Sequence, residues 1–234
     1  MNKEEFILEV NKLGINLDEG KLNKLDKFYN LLIEWNEKIN LTTITNKEDV
    51  YLKHFYDSLT LYKDVDLNKN IKLCDVGSGA GFPGIVLKIV FPNLEIVLVD
   101  SLNKRVNYLN EIIKELDLDK IYAVHSRMED FSKEHNEEFD IITARAVANV
   151  KVLSEISVRA LKINGRLVFM KANIDEEISK IDNMMKELKL NDMKINKFTL
   201  PKENSNRCLL SFNKYDKTPN KYPRNIDKIK NNSL

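Results

Sequence analysis

Several features are scarce or missing in this chain, and each absence narrows what the protein can be. Only 2 cysteines occur in 234 residues, Cys74 and Cys208. They lie far apart, each in a predicted strand, and lack the Cys-x-x-Cys or Cys/His spacing of a zinc site. We therefore predict two buried thiols, and neither a metal site nor a disulfide.

Long apolar runs and an excess of one charge are also missing. No apolar run approaches the roughly 20 residues that span a bilayer, and Met1–Glu5 do not begin a secretory signal. We therefore expect a cytoplasmic protein that does not bind a membrane. The 37 basic and 36 acidic residues nearly cancel, so any nucleic acid must be contacted by local basic patches rather than by an overall field.

The first part of the chain has a helical pattern. Between Asp18 and Asn40, apolar residues recur every three or four positions, which is typical of one face of a long helix. The capping-box spacing of Thr45–Glu48 predicts a further short helix that ends near Leu59. We thus expect an N-terminal helical appendage over residues 1–66.

Short apolar runs then alternate with helical segments, which predicts βαβ units and a mostly parallel sheet with helices on both faces. The expected strands are Ile71–Val76, Leu94–Asp100, Ile121–His125, Phe139–Thr143 and Arg166–Met170, followed by Met193–Leu200 and Arg207–Phe212. The last two have no helix between them, which predicts an antiparallel hairpin at the sheet edge. We therefore expect an α/β, Rossmann-like domain with a seven-stranded sheet over residues 67–213.

The remaining residues, 214–234, are basic and contain Pro219 and Pro223. This composition predicts a mobile tail without a packed core. An arm that binds RNA is the alternative to a merely solvated end.

A glycine-rich stretch follows the first predicted strand, and an acid ends the second. Gly77, Gly79 and Gly81 alternate with other residues after Asp75, and Asp100 stands about 20 residues further on. In doubly wound folds such a loop holds a nucleotide-bearing ligand, whose ribose hydroxyls bind the acid. The spacing also fits a dinucleotide fingerprint, so an NAD(P)-dependent oxidoreductase is an alternative.

Three features favour S-adenosyl-L-methionine over a dinucleotide. Asp75 precedes the loop by two residues, the loop glycines alternate, and the acids Glu129 and Asp130 follow the third strand. A dinucleotide needs a helix N-terminus for its anionic pyrophosphate, whereas S-adenosylmethionine has no phosphate. In this interpretation the acids after the second and third strands address ribose and adenine.

The end of the fourth predicted strand bears on the methyl acceptor. It contains Ala144 and Arg145 and lacks the Asp/Asn-Pro-Pro-aromatic motif of enzymes that methylate exocyclic amines. A ring nitrogen such as guanine N7 has its own lone pair and no proton, so its methylation needs alignment and electrostatics rather than a general base. Arg145 suits such a site because an Arg fork pairs with guanine O6 and N7 or with phosphate.

In their order and spacing, these motifs resemble the bacterial small-subunit ribosomal RNA methyltransferase family RsmG, also called glucose-inhibited division protein B. The resemblance covers nearly the whole chain, from Trp35-Asn36 to a Tyr222-Pro223-Arg224 ending like that of some members. Further matching segments are Ile39–Thr42, His54–Ser58, Asp100–Arg105, Ser126–Glu129, Ala144–Ala146 and Phe169–Lys171. The resemblance implies a class I S-adenosyl-L-methionine-dependent methyltransferase that acts on N7 of guanosine 527, in conventional numbering, in the 16S rRNA decoding region.

The resemblance also implies roles for residues at matching positions. Those expected to bind the cofactor are Asp75, Gly77, Gly79, Gly81, Phe82, Asp100, Ser101, Met128, Glu129 and Arg145. Of these, Asp100 and Ser101 would address the ribose and Met128 and Glu129 would flank adenine, while Asp75 has the alternative role of bonding backbone amides of the turn. Ala144 and Phe82 depart from the family, in which Ser and Leu are frequent there, and Phe82 is expected to reshape the pocket.

Four basic residues are expected to contact RNA: Lys104, Arg105, Arg145 and Lys171. The alternative for Lys104, Arg105 and Lys171 is ordinary surface charge. We interpret His54 as a partner of Asp57 or of the backbone rather than as a catalyst, and expect no residue to act as a general acid or base.

The expected partner is 16S rRNA, alone or within the small ribosomal subunit or an assembly intermediate. We expect the chain to act as a monomer. The non-enzymatic alternative is a ribosome assembly factor that binds the cofactor without turnover.

Overall fold

The computed structural model describes residues 1–145, 148–179 and 181–234. Its strands are β1 (Lys72–Val76), β2 (Glu95–Asp100), β3 (Ile121–His125), β4 (Phe139–Arg145), β5 (Leu161–Lys171), β6 (Leu190–Thr199) and β7 (Asn206–Lys214). They form one seven-stranded sheet in the order β3-β2-β1-β4-β5-β7-β6. The first five strands are parallel, and β7 pairs antiparallel with β5 and β6. The predicted α/β fold with a terminal antiparallel hairpin is confirmed.

Helices precede, connect and cover these strands. They are α1 (Lys3–Lys12), α2 (Glu19–Ile39), α3 (Lys47–Val50), α4 (Asp57–Leu59), α5 (Gly84–Val90), α6 (Asn103–Glu115), α7 (Met128–Glu134), α8 (Val150–Ser157), α9 (Asp182–Leu188) and α10 (Ile226–Asn231). A π-helical turn at Tyr51–Tyr56 joins α3 to α4, and 3-10 turns lie at Thr60–Lys63 and Val158–Ala160. In the part of the chain that the structure describes, no helix is both long and apolar enough to cross a membrane.

Alternate side chains of the central strands belong to different cores on the two faces of the sheet. In β1, Leu73 lies in the core on one face and Cys74 in the core on the other, and Ile96 and Val97 of β2 repeat this arrangement. Strands that are buried on both faces must be apolar at nearly every position. This double burial explains why β2 is apolar throughout Ile96–Val99 and why β1 is apolar apart from Lys72 and Asp75.

The N-terminal helices share the first of these cores with the sheet. Phe6, Phe28 and Phe55 are fully buried in the same apolar cluster as Leu73 of β1 and Ile85 of α5. The long helix expected from apolar spacing is α2, which packs against α5 and α6 on this face of the sheet. The division of the chain at residue 66 stays a prediction, because the core is continuous across it.

The short helix predicted from the capping-box spacing begins one residue later than expected. Its N-cap is Asn46 rather than Thr45, and the Asn46 side chain accepts hydrogen bonds from the backbone N–H groups of Glu48 and Asp49. The Asn46 carboxamide oxygen thus satisfies two of the free N–H groups at the helix start.

The C-terminal segment packs on the second face of the sheet, contrary to the expectation from its composition. Tyr222 and Ile229 are buried, with 3% and 0% of their surface exposed. Arg224 forms a bidentate ion pair with Glu155 at 2.7 and 2.6 Å, and the Glu155 side chain is fully buried. The prediction of a tail without a packed core is therefore wrong, because two apolar anchors and one buried carboxylate hold a segment whose composition is mostly polar.

We expect Arg224→Ala to lower the free energy of unfolding by about 3 kcal/mol, because it leaves the buried Glu155 carboxylate without its cation. The matched control is Lys221→Ala in the same segment, whose ion pair with Glu187 is largely exposed, at 61% and 32%. Exposed pairs contribute about 0–1 kcal/mol. Urea unfolding of both variants measures the difference, and equal small effects would contradict docking through Arg224.

Candidate functional site

The carboxyl ends of the parallel strands form one edge of the sheet, and the strand order reverses between β1 and β4. Ligands of doubly wound folds bind at such a reversal. A cavity of about 420 Å³ lies there, between the glycine loop and the N-terminal helices. Its wall includes residues 77–80 and Phe82 of the loop, Thr42 and His54 of the N-terminal part, and Arg145 at the end of β4.

The glycine loop adopts backbone conformations that strain other residues. Gly77, Gly79 and Gly81 have φ values of 68°, 57° and 92°. A Cβ added at Gly81 would lie 2.6 Å from Cγ1 of Ile85, so this glycine is needed for packing on α5. The nearest atom to a Cβ at Gly79 is the Gly77 carbonyl oxygen at 3.8 Å. Gly79 therefore faces open space, and a ligand can approach its backbone closely.

Asp75 lies at the base of the loop and is fully buried. Its Oδ2 accepts the Gly84 N–H at 2.8 Å, while its Oδ1 is buried with no hydrogen-bond partner among the described residues. Burial raises the pKa of Asp75 to about 7, although the Gly84 N–H and the Arg145 charge act to lower it. Bonding to the turn amides thus accounts for one carboxylate oxygen and leaves the other as an orphaned acceptor.

Asp100 ends β2 and ties the glycine loop to that strand. Its Oδ2 accepts the Gly79 N–H and its Oδ1 accepts the Leu102 N–H, each at 2.9 Å. The residue is only 3% exposed, and Arg105 lies 3.6 Å from Oδ2. Each carboxylate oxygen has a second lone pair, so Asp100 retains the capacity to accept hydrogen bonds from hydroxyl groups.

Four further residues that the sequence predicts for the site lie along the same sheet edge: Ser101, Lys104, Met128 and Glu129. None of them is among the described residues that line the cavity. Ser101 and Lys104 follow β2 and are exposed. Met128 and Glu129 begin α7 after β3 and are buried. These positions extend the edge beyond the cavity, on the side of β2 and β3. Ala146, which belongs to the matched motif after β4, lies outside the described residues.

Arg145 lines the cavity, but its guanidinium is already bound to the N-terminal part. Nη1 donates to the Lys53 carbonyl at 3.0 Å and to Asp57 Oδ2 at 3.1 Å, and Nη2 donates to His54 Nδ1 at 3.1 Å. Its Cζ lies 5.1 Å from the centroid of the Phe82 ring. One side chain therefore joins β4, the glycine loop and the N-terminal helices.

His54 is buried and stacks on Phe82, with ring centroids 4.4 Å apart. Burial and the charge of Arg145 lower the pKa of His54 to about 3, so the ring is neutral near pH 7. An arginine only donates hydrogen bonds, so Nδ1 is the acceptor and the ring proton lies on Nε2. Nε2 then donates to Thr42 Oγ1 at 3.0 Å. His54 is thus a partner of Arg145 and Thr42, whereas the sequence suggested Asp57 or the backbone.

Asp57 and Arg207 also line the cavity, and sequence reasoning assigned no site role to either. Asp57 is 5% exposed, and its Oδ1 accepts from Arg207 Nε at 3.0 Å across a separation of 150 residues. His54 and Asp57 stand in a matched family segment, which was the available signal for them. No local pattern marks Arg207, because its partner belongs to the opposite end of the chain.

Lys171 also lines the cavity, and its side chain is 10% exposed. Its Nζ donates to the Ala148 carbonyl and lies 3.0 Å from Glu177 Oε2. Any phosphate that binds Lys171 must therefore compete with Glu177.

Comparison with known proteins gives a specific match. A family model described as rRNA small subunit methyltransferase G matches residues 21–206. The chain is 46% identical to the protein named Ribosomal RNA small subunit methyltransferase G of Bacillus velezensis, 45% identical to that of Lysinibacillus sphaericus and 44% identical to that of Bacillus subtilis. Each alignment spans 227 residues, 96% of this chain and 95% of the relative.

Solved structures share the fold at much lower identity. The YcgJ protein from Bacillus subtilis is 14% identical with a TM-score of 0.55, over 70% of this chain and 100% of that one. A SAM-dependent methyltransferase from Aquifex aeolicus is 16% identical with a TM-score of 0.52, over 77% and 97% of the two chains. Identities this low support the Rossmann-like fold alone.

The raised pKa of Asp75 predicts a pH-dependent stability. The folded state binds the Asp75 proton more tightly than the unfolded chain, in which the usual value is 3.8. The resulting stabilisation is complete below pH 3.8 and is lost as the pH rises through about 7. We expect the Tm of the wild type to fall more steeply between about pH 5 and 8 than that of Asp75→Asn, whose amide oxygen still accepts the Gly84 N–H.

Thermal unfolding across this pH range tests the prediction. Asp119→Asn, at an exposed position, is the control and should follow the wild type. Parallel curves for all three proteins would contradict proton uptake by Asp75.

Proposed function

The chain belongs to the rRNA small subunit methyltransferase G family, and we propose that it transfers a methyl group from S-adenosyl-L-methionine to N7 of a guanosine in 16S rRNA. The observation that carries this proposal is the 46% identity to a named member over 96% of the chain. The same match disfavours the NAD(P)-dependent oxidoreductase that the glycine spacing alone allowed.

The glycine loop and the strand ends fit S-adenosyl-L-methionine. Gly79 offers an open backbone approach, and Asp75 has an unpaired carboxylate oxygen at the base of the loop. We propose that loop residues 77–82 hold the amino-acid end, that Asp100 and Ser101 bind the ribose, and that Met128 and Glu129 flank the adenine. When bound, S-adenosyl-L-methionine supplies an electrophilic methyl group.

The cavity wall favours an acceptor that has no proton to lose. Its histidine, His54, already accepts a hydrogen bond from Arg145, and its carboxylate, Asp57, lies between Arg145 and Arg207. Neither is free to act as a general base. Guanine N7 needs none, because its lone pair is available, so the contribution of the chain is to align the base and exclude water.

We propose that Arg145 acts at the target side of the cavity chiefly by holding His54 and Asp57 in place. Lys104, Arg105 and Lys171 are the proposed contacts for RNA phosphates outside the reacting base. We further propose that the chain works as a monomer and that it recognises the RNA within the small ribosomal subunit or an assembly intermediate.

Methyl transfer itself is the first test. Purified protein is incubated with methyl-labelled S-adenosylmethionine and either naked 16S rRNA or small subunits that lack the modification, and N7-methylguanine is mapped by borohydride and aniline cleavage. We expect label at a single guanosine. Absence of label on both substrates, with S-adenosylhomocysteine still bound, would instead support an assembly factor without turnover.

Gly79→Ala should weaken the binding of S-adenosylhomocysteine at least about tenfold, or by about 1.4 kcal/mol, because the methyl group enters the open space beside the loop. Gly14→Ala is a matched control. Gly14 also has a positive φ, 83° compared with 57° for Gly79, and it is not among the described residues that line the cavity. Calorimetry compares the two variants. If Gly79→Ala and Gly14→Ala lost affinity equally, backbone strain alone would account for the effect.

A further inference from the structure

Thr42 lies in the cavity wall, in the segment after α2. Hydrogen bonds to its backbone fix its position. The Asn36 side-chain oxygen accepts the N–H of Leu41 at 2.7 Å and the N–H of Thr42 at 2.8 Å. These two bonds anchor the turn to the last part of α2. The position of the Thr42 hydroxyl is therefore well defined.

Both lone pairs of the Thr42 hydroxyl are used within the protein. Oγ1 accepts the Ile44 N–H at 3.1 Å and the His54 Nε2–H at 3.0 Å. The second direction follows from Arg145, which donates to His54 Nδ1 and leaves the ring proton on Nε2. A threonine hydroxyl has two lone pairs and one hydrogen. Thr42 can therefore take part in a further hydrogen bond only as a donor.

The hydrogen of this hydroxyl is available to a ligand. Thr42 lines the cavity together with Gly79 and Arg145, and within residues 1–145, 148–179 and 181–234 no group accepts a hydrogen bond from it. The described residues that line the cavity do not include the proposed ribose and adenine contacts, which are Asp100, Ser101, Met128 and Glu129. Thr42 therefore lies on the side of the site away from the proposed ribose and adenine contacts.

From this geometry we infer that Thr42 is a specificity-determining residue whose hydroxyl donates to O6 of the target guanine. The inference rests on the proposed function. Guanine presents two acceptors, N7 and O6, on one edge, whereas adenine presents an amino donor in place of O6. A hydroxyl that can only donate matches guanine and opposes adenine, because two donors would then face each other.

Substitution at Thr42 is the first arm of the test. Thr42→Val keeps the shape but removes the donor together with the acceptor of the Ile44 and His54 N–H groups. We therefore expect kcat/KM for unmethylated small subunits to fall at least about tenfold, of which about tenfold comes from the lost bond to the base. Thr42→Ser keeps the hydroxyl and should retain most activity. Thr43→Val, at the exposed neighbouring position, is the matched control and should behave as the wild type.

The second arm of the test changes the target base. If Thr42 had only a structural role, the effect of its substitution would be the same for both bases. The target guanosine is replaced by 2-aminopurine riboside, which keeps N7 and lacks O6, in ligated 16S rRNA assembled into subunits. The wild type should lose about tenfold on this substrate. The defect of Thr42→Val relative to the wild type should be about tenfold smaller on this substrate than on guanosine, because the acceptor for the missing hydrogen bond to the base is already absent.

The outcomes separate this inference from the proposed function. If the wild type methylates no guanosine, the proposed function fails. If the wild type is active but Thr42→Val equals it, or if the defect of Thr42→Val is as large on 2-aminopurine as on guanosine, the assignment to O6 is overturned. Weaker binding of S-adenosylhomocysteine by Thr42→Val in calorimetry would also overturn it, since the hydroxyl would then serve the cofactor.

Discussion

The guanidinium of Arg145 is the contact on which the arrangement of the site depends. From the end of β4 it donates to three acceptors on one short stretch of the N-terminal part: the Lys53 carbonyl, Asp57 and His54. Because an arginine stays charged and has no acceptor, it determines which His54 nitrogen carries the proton. The N-terminal helices are thereby held over the carboxyl edge of the sheet, and the space left between them and the glycine loop is the cavity.

Phe82 links this contact to the glycine loop. Its ring is 5% exposed and lies against both His54 and the Arg145 guanidinium. A flat aromatic face suits a stacked imidazole and a guanidinium better than a branched aliphatic side chain does. The aromatic residue at this position therefore forms part of the support for the polar network.

Most cations around the cavity are held by carboxylates of the same chain. Lys53 pairs with Glu203, Lys171 with Glu177, and Arg207 with Asp57. Such pairs fix the positions of the cations and leave little net charge, which agrees with the near-neutral total of the chain. A phosphate group that bound one of these cations would have to displace its carboxylate, so these basic residues are not free cations.

The sequence by itself determined the parallel strands, the terminal hairpin, the glycine loop and Asp100 at the strand end, because each follows from a local pattern of apolar residues or turn glycines. Local patterns failed where contacts over long distances decide. The polar tail is anchored by Glu155, a buried carboxylate about which the tail composition carries no information. Asp57 meets Arg207 across 150 residues, and the direction of the Thr42 hydroxyl depends on Arg145 through His54. Only tertiary packing brings these groups together. The direction of each hydrogen bond then depends on the partners that the side chain meets in space, which a local sequence pattern does not specify.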